Sequence, residues 1–143
     1  FHITKRWQQA KKMNRLVIIL FLTLNFNCFS QTQAEMNKEA YTAFNKTDNE
    51  LNQVYQKILT EYKTDTLFVE NLIASQRIWI KFRDAELKMK FPEYQNKNYG
   101  TIHPICRAFY LLELTENRTK TLKEWLKGID GLDACNGSVK IND

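Results

Sequence analysis

Apolar residues after about position 32 recur at helical spacing and predict a first amphipathic helix. Thr32 and Glu35 have the spacing of a capping box, in which a Thr side chain begins a helix and a Glu three residues later completes the cap. The apolar residues that follow lie mostly three or four positions apart: Met36, Ala40, Phe44, Leu51, Tyr55, Ile58 and Tyr62. We therefore predict a helix from about Thr32 to about Tyr62.

Two further apolar stripes predict a second and a third helix. The second helix is expected to start at a Thr64 or Asp65 cap and to end before Pro92, because a proline disfavours helix at the preceding residue. Its apolar residues are Leu67, Phe68, Leu72, Ile73, Trp79, Ile80, Phe82 and Leu87. The third helix should begin near Pro104 and stop at Gly128. Its apolar residues are Ile105, Phe109, Leu112, Leu122, Trp125 and Leu126.

These three stripes predict the fold class. No Gly-rich strand-turn pattern and no internal repeat occurs before residue 128, and residues 93–100 are polar and tyrosine-containing, as in a surface loop. We predict an all-α fold, a three-helix antiparallel bundle with a short C-terminal tail.

The N-terminal segment has the order of regions found in an export signal. Residues 1–15 carry five bases and no acid, residues 16–24 are almost purely apolar, and a polar stretch follows. We predict that Met13 is the true start, that cleavage follows Ser30, and that residues 31–143 form a single periplasmic or secreted domain. The apolar run is shorter than the roughly 18 residues of a membrane span. The alternative is lipid anchoring at Cys28, although its preceding residue is Asn27 rather than a small residue.

Removal of residues 1–30 changes the charge of the protein. The whole chain has 21 Lys and Arg against 16 Asp and Glu. The removed segment holds five of the bases and none of the acids, so the predicted mature part has 16 of each. Its formal net charge is zero, and nucleic-acid binding, which needs a basic surface on the fold, is not expected.

The mature part retains two cysteines, Cys106 and Cys135. In an oxidising compartment such a pair predicts one disulfide, which would tether the tail back along the third helix. The alternative is a pair of free, buried thiols.

Candidate catalytic residues are few, so we do not expect an enzyme. His103 is the one histidine of the mature part and precedes a proline, and neither Ser75 nor Ser138 lies in a nucleophile-elbow sequence. One histidine and two distant cysteines do not form a zinc site, and the acids lack the spacing of a calcium loop. No metal or other cofactor is expected. A pair of carboxylates that meets only in the fold stays possible.

Polar residues within the second helix form the most unusual pattern of the chain. Gln76, Trp79 and Arg83 are three and four residues apart and therefore share one helical face. A Gln and an Arg among apolar neighbours need partners, which the first helix could supply from Asp48, Glu50 or Asn52. The favoured interpretation is that they hold two helices in register, and the alternative is a ligand site.

Three stretches resemble the LprI-like lysozyme inhibitor domain family. The first comprises residues 32–37 with residues 48–52 and Tyr55. The second comprises residues 76–79 with residues 82–86. The third comprises Cys106 with Leu114, Thr115, Arg118 and Leu122. From this likeness we take as structural motif residues Leu51, Asn52, Tyr55, Gln76, Trp79, Arg83, Asp84, Thr115 and Arg118. Relatives often carry a cysteine where Glu39 and Leu87 stand here, which implies that this chain lacks one bridge.

The resemblance implies an exported helical protein that binds a protein partner, such as a lysozyme or another cell-wall hydrolase. The loop between the second and third helices holds or adjoins Tyr94, Tyr99 and His103. The favoured interpretation is an ordinary surface loop, and the alternative is that these three residues form an inserted contact surface. The alternative functions are an envelope assembly module that binds another protein, and a hydrolase with a hidden carboxylate pair. An exposed apolar patch would favour the module. The oligomeric state and the partner are left open by the sequence.

Overall fold

The computed structural model describes the backbone of residues 2–92, 99–131 and 134–142, and side chains among these from residue 32 onward. Its elements are α1 (His2–Glu61), α2 (Thr66–Lys90), α3 (His103–Lys127), β1 (Ile129–Asp130), a 3-10 turn (Ala134–Asn136) and β2 (Ile141–Asn142). The predicted all-α class with three helices is confirmed. The chain divides into two compact units, Phe1–Lys38 and Glu39–Asp143.

The start of α1 differs from the prediction. The helix begins at His2, so Thr32 lies inside it rather than at its first turn. A capping box begins a helix only where the preceding residues are not helical. Cleavage after Ser30, which stays a prediction, would leave Thr32 close to a new N-terminus.

The caps of α2 and α3 agree with the sequence signals. The Asp65 carboxylate accepts a hydrogen bond from the Phe68 backbone N–H at 3.0 Å and so begins α2. Pro104 lies in the first turn of α3, where its missing N–H costs nothing. Gly128 ends α3 with a φ of 70°, in the left-handed region that favours glycine.

Helices that are consecutive in sequence run in opposite directions. Tyr62, just beyond the end of α1, packs against Phe68 in the first turn of α2, while Asp48 in α1 meets Arg83 towards the end of α2. Between α2 and α3, Glu86 meets Tyr110 and Gln76 meets Arg118. Rising numbers on one helix therefore pair with falling numbers on the next, as in an antiparallel three-helix bundle.

Apolar side chains from all three helices form the core. Its buried residues are Leu51, Val54, Ile58, Leu72 and Leu122. A smaller buried cluster, made by Ala40, Ile105 and Ala108, joins α1 to the start of α3. Most of the core residues therefore belong to the apolar stripes that predict the helices.

The C-terminal tail remains beside the C-terminal end of α3. β1 and β2 pair in parallel, with Ile129 opposite Ile141. The Trp125 indole N–H donates to the Ser138 hydroxyl at 3.0 Å, and the Lys140 backbone N–H donates to the Tyr62 hydroxyl at 3.1 Å. A side chain at Gly128 would collide with Asn142, so the tail packs against that glycine.

The predicted Cys106–Cys135 disulfide is wrong in this structure, because both residues are thiols. Cys135 lines a recess with Glu124 and Lys127 at the end of α3, whereas Cys106 lies in its first turn. The 18 residues between Cys106 and Glu124 span roughly 27 Å of helix. A disulfide needs Cα atoms within about 7 Å, so this tail position rules the bridge out.

In the part of the chain that the structure describes, no helix has both the length and the apolar composition needed to cross a membrane.

Candidate functional site

Trp79 contacts two arginines from different helices. The Arg83 guanidinium carbon is 5.3 Å from the centre of the Trp79 ring, and that of Arg118 is 5.9 Å from it. Both distances suit a cation–π contact, which favours tryptophan. We call Asp48, Gln76, Trp79, Arg83 and Arg118 the arginine–tryptophan network.

Arg83 joins α2 to α1. Its Nη1 donates to Oδ1 of Asp48 at 3.0 Å, and its Nε donates to Oδ1 of Asp84 at 3.3 Å. Asn52 donates to the other oxygen of Asp48 at 3.4 Å. Of the three possible partners on α1, the structure places Asp48 against Arg83, while Glu50 pairs with Lys123 on α3.

Gln76 joins α2 to α3 rather than to α1. Its side chain is buried, and its Oε1 accepts a hydrogen bond from Nε of Arg118 at 3.0 Å. A second nitrogen of Arg118 donates to the Ser75 hydroxyl at 3.1 Å. Burial lowers the pKa of Arg118, because removal from water disfavours the charged form. The expectation of a partner for Gln76 on the first helix was wrong.

The remaining motif residues lie around this network. Leu51 is in the core and Tyr55 packs against it. Thr115 is fully buried and donates its hydroxyl proton to the Leu111 carbonyl at 2.7 Å. The motif positions therefore come from all three helices, and sequence spacing alone could not show which residue of α3 would meet Gln76.

Aromatic side chains gather where α2 ends and α3 begins. The rings of Tyr99 and His103 stack with 4.5 Å between centroids, and the edge of Phe91 meets both. The Tyr99 hydroxyl donates to the Pro92 carbonyl at 2.9 Å. We call Phe91, Tyr99, His103 and Tyr110 the loop-end cluster. Tyr94, the third predicted contact residue, lies outside the described residues.

A buried ring nitrogen lies in this cluster. His103 Nε2 has no hydrogen-bond partner among the described residues. Such an atom is uncommon, because an unpaired buried polar group costs free energy. Sequence spacing predicted neither this buried nitrogen nor the stacking of His103 on Tyr99.

Tyr110 connects the loop-end cluster to charged residues on α2. Its hydroxyl donates to Glu86 Oε2 at 3.0 Å, and Lys90 Nζ lies 3.6 Å from its ring centre. The hydrogen bond to Glu86 raises the pKa of Tyr110, with smaller contributions from burial and from the charges of Glu86 and Glu113.

A groove of about 380 Å³ lies between α2 and α3 near the tail. Its apolar lining includes Phe68, Leu72 and Trp125, and its polar lining includes Asp65 and Arg118. Asp65 is the one carboxylate among these lining residues, and it already caps α2. The groove therefore does not contain the pair of carboxylates with which a hydrolase could cleave its substrate.

These features define a small all-α protein whose polar motif side chains join helices to one another. The chain belongs to the LprI family, since the family model described as "Lysozyme inhibitor LprI" matches residues 28–122. That range contains the whole arginine–tryptophan network and the loop-end cluster and stops before the tail. Comparison with curated proteins and with solved structures gave no match.

Proposed function

We propose that this protein binds a lysozyme and inhibits it as a protein ligand, without catalysing a reaction. The family match over residues 28–122 carries this proposal, because the description of that family is lysozyme inhibitor. The network adds support of a different kind. A rigid scaffold lowers the entropy lost on binding, and polar side chains shared by three helices provide such rigidity.

The loop-end cluster is our candidate contact surface. Tyr99 and His103, which follow residues 93–98 in sequence, stack on each other. Phe91, which precedes those residues, contacts both rings. Aromatic side chains backed by a rigid fold are frequent energetic centres of protein interfaces. His103 adds a buried nitrogen that a partner could reach only if the neighbouring side chains moved.

Export to the periplasm or the medium is part of the proposal. The predicted signal in residues 1–30 supports it, and the family function requires contact with an enzyme that acts on the cell wall. Cleavage after Ser30 can be read directly from the N-terminal sequence of the exported protein.

A titration of lysozyme activity tests the proposed function. Protein expressed from the full chain and recovered after export is added to C-type and to G-type lysozyme, and cell-wall lysis is followed. We expect inhibition of at least one type at micromolar or lower concentration. Full activity of both types at a large molar excess would contradict the proposal.

A pair of tyrosine variants tests the contact surface. Tyr99→Ala should weaken inhibition about tenfold or more, whereas Tyr41→Ala, an exposed tyrosine on α1, should leave it unchanged. Circular dichroism of both variants establishes that each is folded. Equal effects of the two changes would move the contact surface away from the loop end.

A second candidate function is an envelope assembly module. The observation in its favour is a set of large apolar residues on α2 that are more than half exposed, namely Leu67, Ile78 and Met89. Exposed apolar surface of this kind marks interaction sites. Lysozyme inhibition that is retained when Ile78 is replaced by glutamate would favour the inhibitor, whereas loss of a partner other than lysozyme in that variant would favour the module.

A further inference from the structure

The outward face of α2 carries an apolar stripe that the bundle does not cover. Its apolar members are Leu67, Ala74, Ile78, Phe82, Ala85 and Met89, and polar Asn71 occupies the one remaining position; all seven are exposed. Leu67 and Asn71 also line the groove between α2 and α3. We call this set of seven the outer stripe. The inward face of the same helix carries Leu72, Gln76 and Leu87, all buried. At about 100° per residue the centres of the two faces are roughly 150° apart, so α2 has two distinct packing surfaces.

The exposure of the large members is high for apolar side chains. Leu67 is 69 % exposed, Ile78 67 %, Met89 68 % and Phe82 50 %. The seven stripe positions are three or four residues apart over six turns of helix, which is the seam pattern of a helix that packs against another helix. Single exposed apolar residues need no explanation, but a continuous stripe indicates a partner.

The stripe is symmetric about Ile78. Leu67 and Met89 lie eleven residues before and after it, Asn71 and Ala85 seven, and Ala74 and Phe82 four. An antiparallel copy of the same helix, related by a two-fold axis at Ile78, would therefore place stripe residues opposite stripe residues along the full length. Small Ala74 would face large Phe82 of the second copy. A two-fold interface requires this kind of self-complementarity.

At the two ends of the outer stripe, the charged side chains beside it also fit an antiparallel pair of helices. Glu70 and Lys88 lie on the same flank of α2, and the two-fold axis would bring Glu70 of one copy next to Lys88 of the other. Neither residue has an ion-pair partner among the described side chains. Near the axis Arg77 and Lys81 of one copy would face the same residues of the other, which opposes association. The apolar stripe must therefore supply most of the attraction.

We propose that the outer stripe is a homodimer interface in which two copies of α2 pack antiparallel about Ile78. The occupant is a second copy of this chain, because the stripe is symmetric about one residue and its end charges complement each other only in the antiparallel orientation. The interface is separate from the loop-end cluster, so this proposal does not rest on lysozyme inhibition.

Sedimentation equilibrium of the protein recovered after export of the full chain tests the proposal. We expect a reversible monomer–dimer equilibrium. Ile78→Glu should weaken dimerisation about a hundredfold, because the two glutamates of the dimer would meet at the axis. Each tenfold loss of affinity corresponds to about 1.4 kcal/mol. The matched control is Phe109→Glu, an exposed apolar residue on α3, which should leave the dimer intact.

Charge variants test the orientation. Glu70→Lys alone should weaken the dimer, and adding Lys88→Glu in the same chain should restore it. Lys81→Glu should tighten the dimer, because it places an acid near Arg77 of the second copy. In a parallel pair of helices Glu70 would not lie beside Lys88 of the second copy. The variants would then not weaken, restore and tighten the dimer in this way.

Cross-linking tests the register. With Cys106 and Cys135 replaced by serine, Ile78→Cys should form a covalent dimer on oxidation. Leu67→Cys should not do so alone, but it should cross-link when mixed with Met89→Cys.

A monomer at all concentrations up to several hundred micromolar would overturn the proposal. So would a dimer that survives Ile78→Glu and is lost with Phe109→Glu. Protection of the outer stripe by lysozyme in a monomeric protein would also overturn it, and would assign the stripe to the inhibited enzyme instead.

Discussion

The Arg83 guanidinium on α2 donates to the Asp48 carboxylate on α1 at 3.0 Å, across 35 residues of sequence. The Arg83 side chain is 16 % exposed and that of Asp48 is 36 % exposed, so the pair is partly shielded from water. The Arg83 guanidinium carbon also lies 5.9 Å from the centre of the Phe44 ring and 5.3 Å from that of Trp79. One side chain therefore fixes the register of two helices through charge and through ring contacts.

Replacement of Arg83 by alanine should destabilise the fold by about 1–3 kcal/mol. The change leaves the Asp48 carboxylate without its cation and removes the stem that packs on Trp79. Urea unfolding monitored by circular dichroism measures the free energy of unfolding. Arg83→Lys should recover part of it, because lysine keeps the charge but loses the planar fork.

An exposed ion pair provides the control for Arg83. Lys57 lies 3.9 Å from Glu61 on the surface of α1, and Lys57→Ala should cost less than about 0.5 kcal/mol. If both alanine variants unfold at the same urea concentration as the wild type, the arginine–tryptophan network does not stabilise the packing of α2 against α1.

Gln76→Leu should destabilise the protein by about 1–2 kcal/mol, although leucine is more apolar. The buried Gln76 oxygen is the acceptor for Arg118, and its loss leaves a half-buried guanidinium with one fewer partner. Ser75→Ala removes the exposed partner of the same arginine and should cost less than about 0.5 kcal/mol. A Gln76→Leu variant more stable than the wild type would show that the glutamine is not a structural partner of Arg118.

The helices could be predicted because local signals specify them. Asp65, Pro104 and Gly128 each act on the backbone next to them, and the apolar stripes place Leu51 and Leu122 in the core without knowledge of the partner helix. The partner of Gln76 could not be predicted in this way, because Arg118 is 42 residues away and its position depends on how α3 packs.

The disulfide prediction failed for a related reason. Two cysteines in an exported chain favour a bridge, but the path of the tail decides whether they meet. Hydrogen bonds from Trp125 to Ser138 and from Lys140 to Tyr62 hold the tail at the far end of α3 from Cys106. Those contacts have no local sequence signature.

Reducing agent should leave the melting temperature of the exported protein unchanged, because no disulfide joins Cys106 to Cys135. Alkylation after unfolding without reductant should modify both thiols, as measured by mass spectrometry. The Cys106→Ser/Cys135→Ser variant serves as the unmodified control. A protein that resists alkylation until it is reduced would contain the bridge after all.

Ionisation of Tyr110 should occur above the usual range for tyrosine, because its hydroxyl donates to Glu86. A raised pKa means that the contact stabilises the fold below about pH 10 and that this contribution is lost as pH rises through the folded pKa. Glu86→Gln should therefore shift one tyrosine to ionise at lower pH in an ultraviolet absorbance titration. Glu113→Gln should give a smaller shift, and identical titrations of the wild type and Glu86→Gln would contradict the contact.

The stoichiometry and reversibility of lysozyme inhibition test the central claim most directly. Lysozyme is held well above the dissociation constant, and residual activity is measured against added protein at several incubation times. Inhibition by binding predicts a linear fall to an equivalence point of one chain per lysozyme, independent of time, with recovery on dilution. Activity that keeps falling with time at a small fraction of equivalence, or that never falls, would contradict a non-catalytic lysozyme inhibitor.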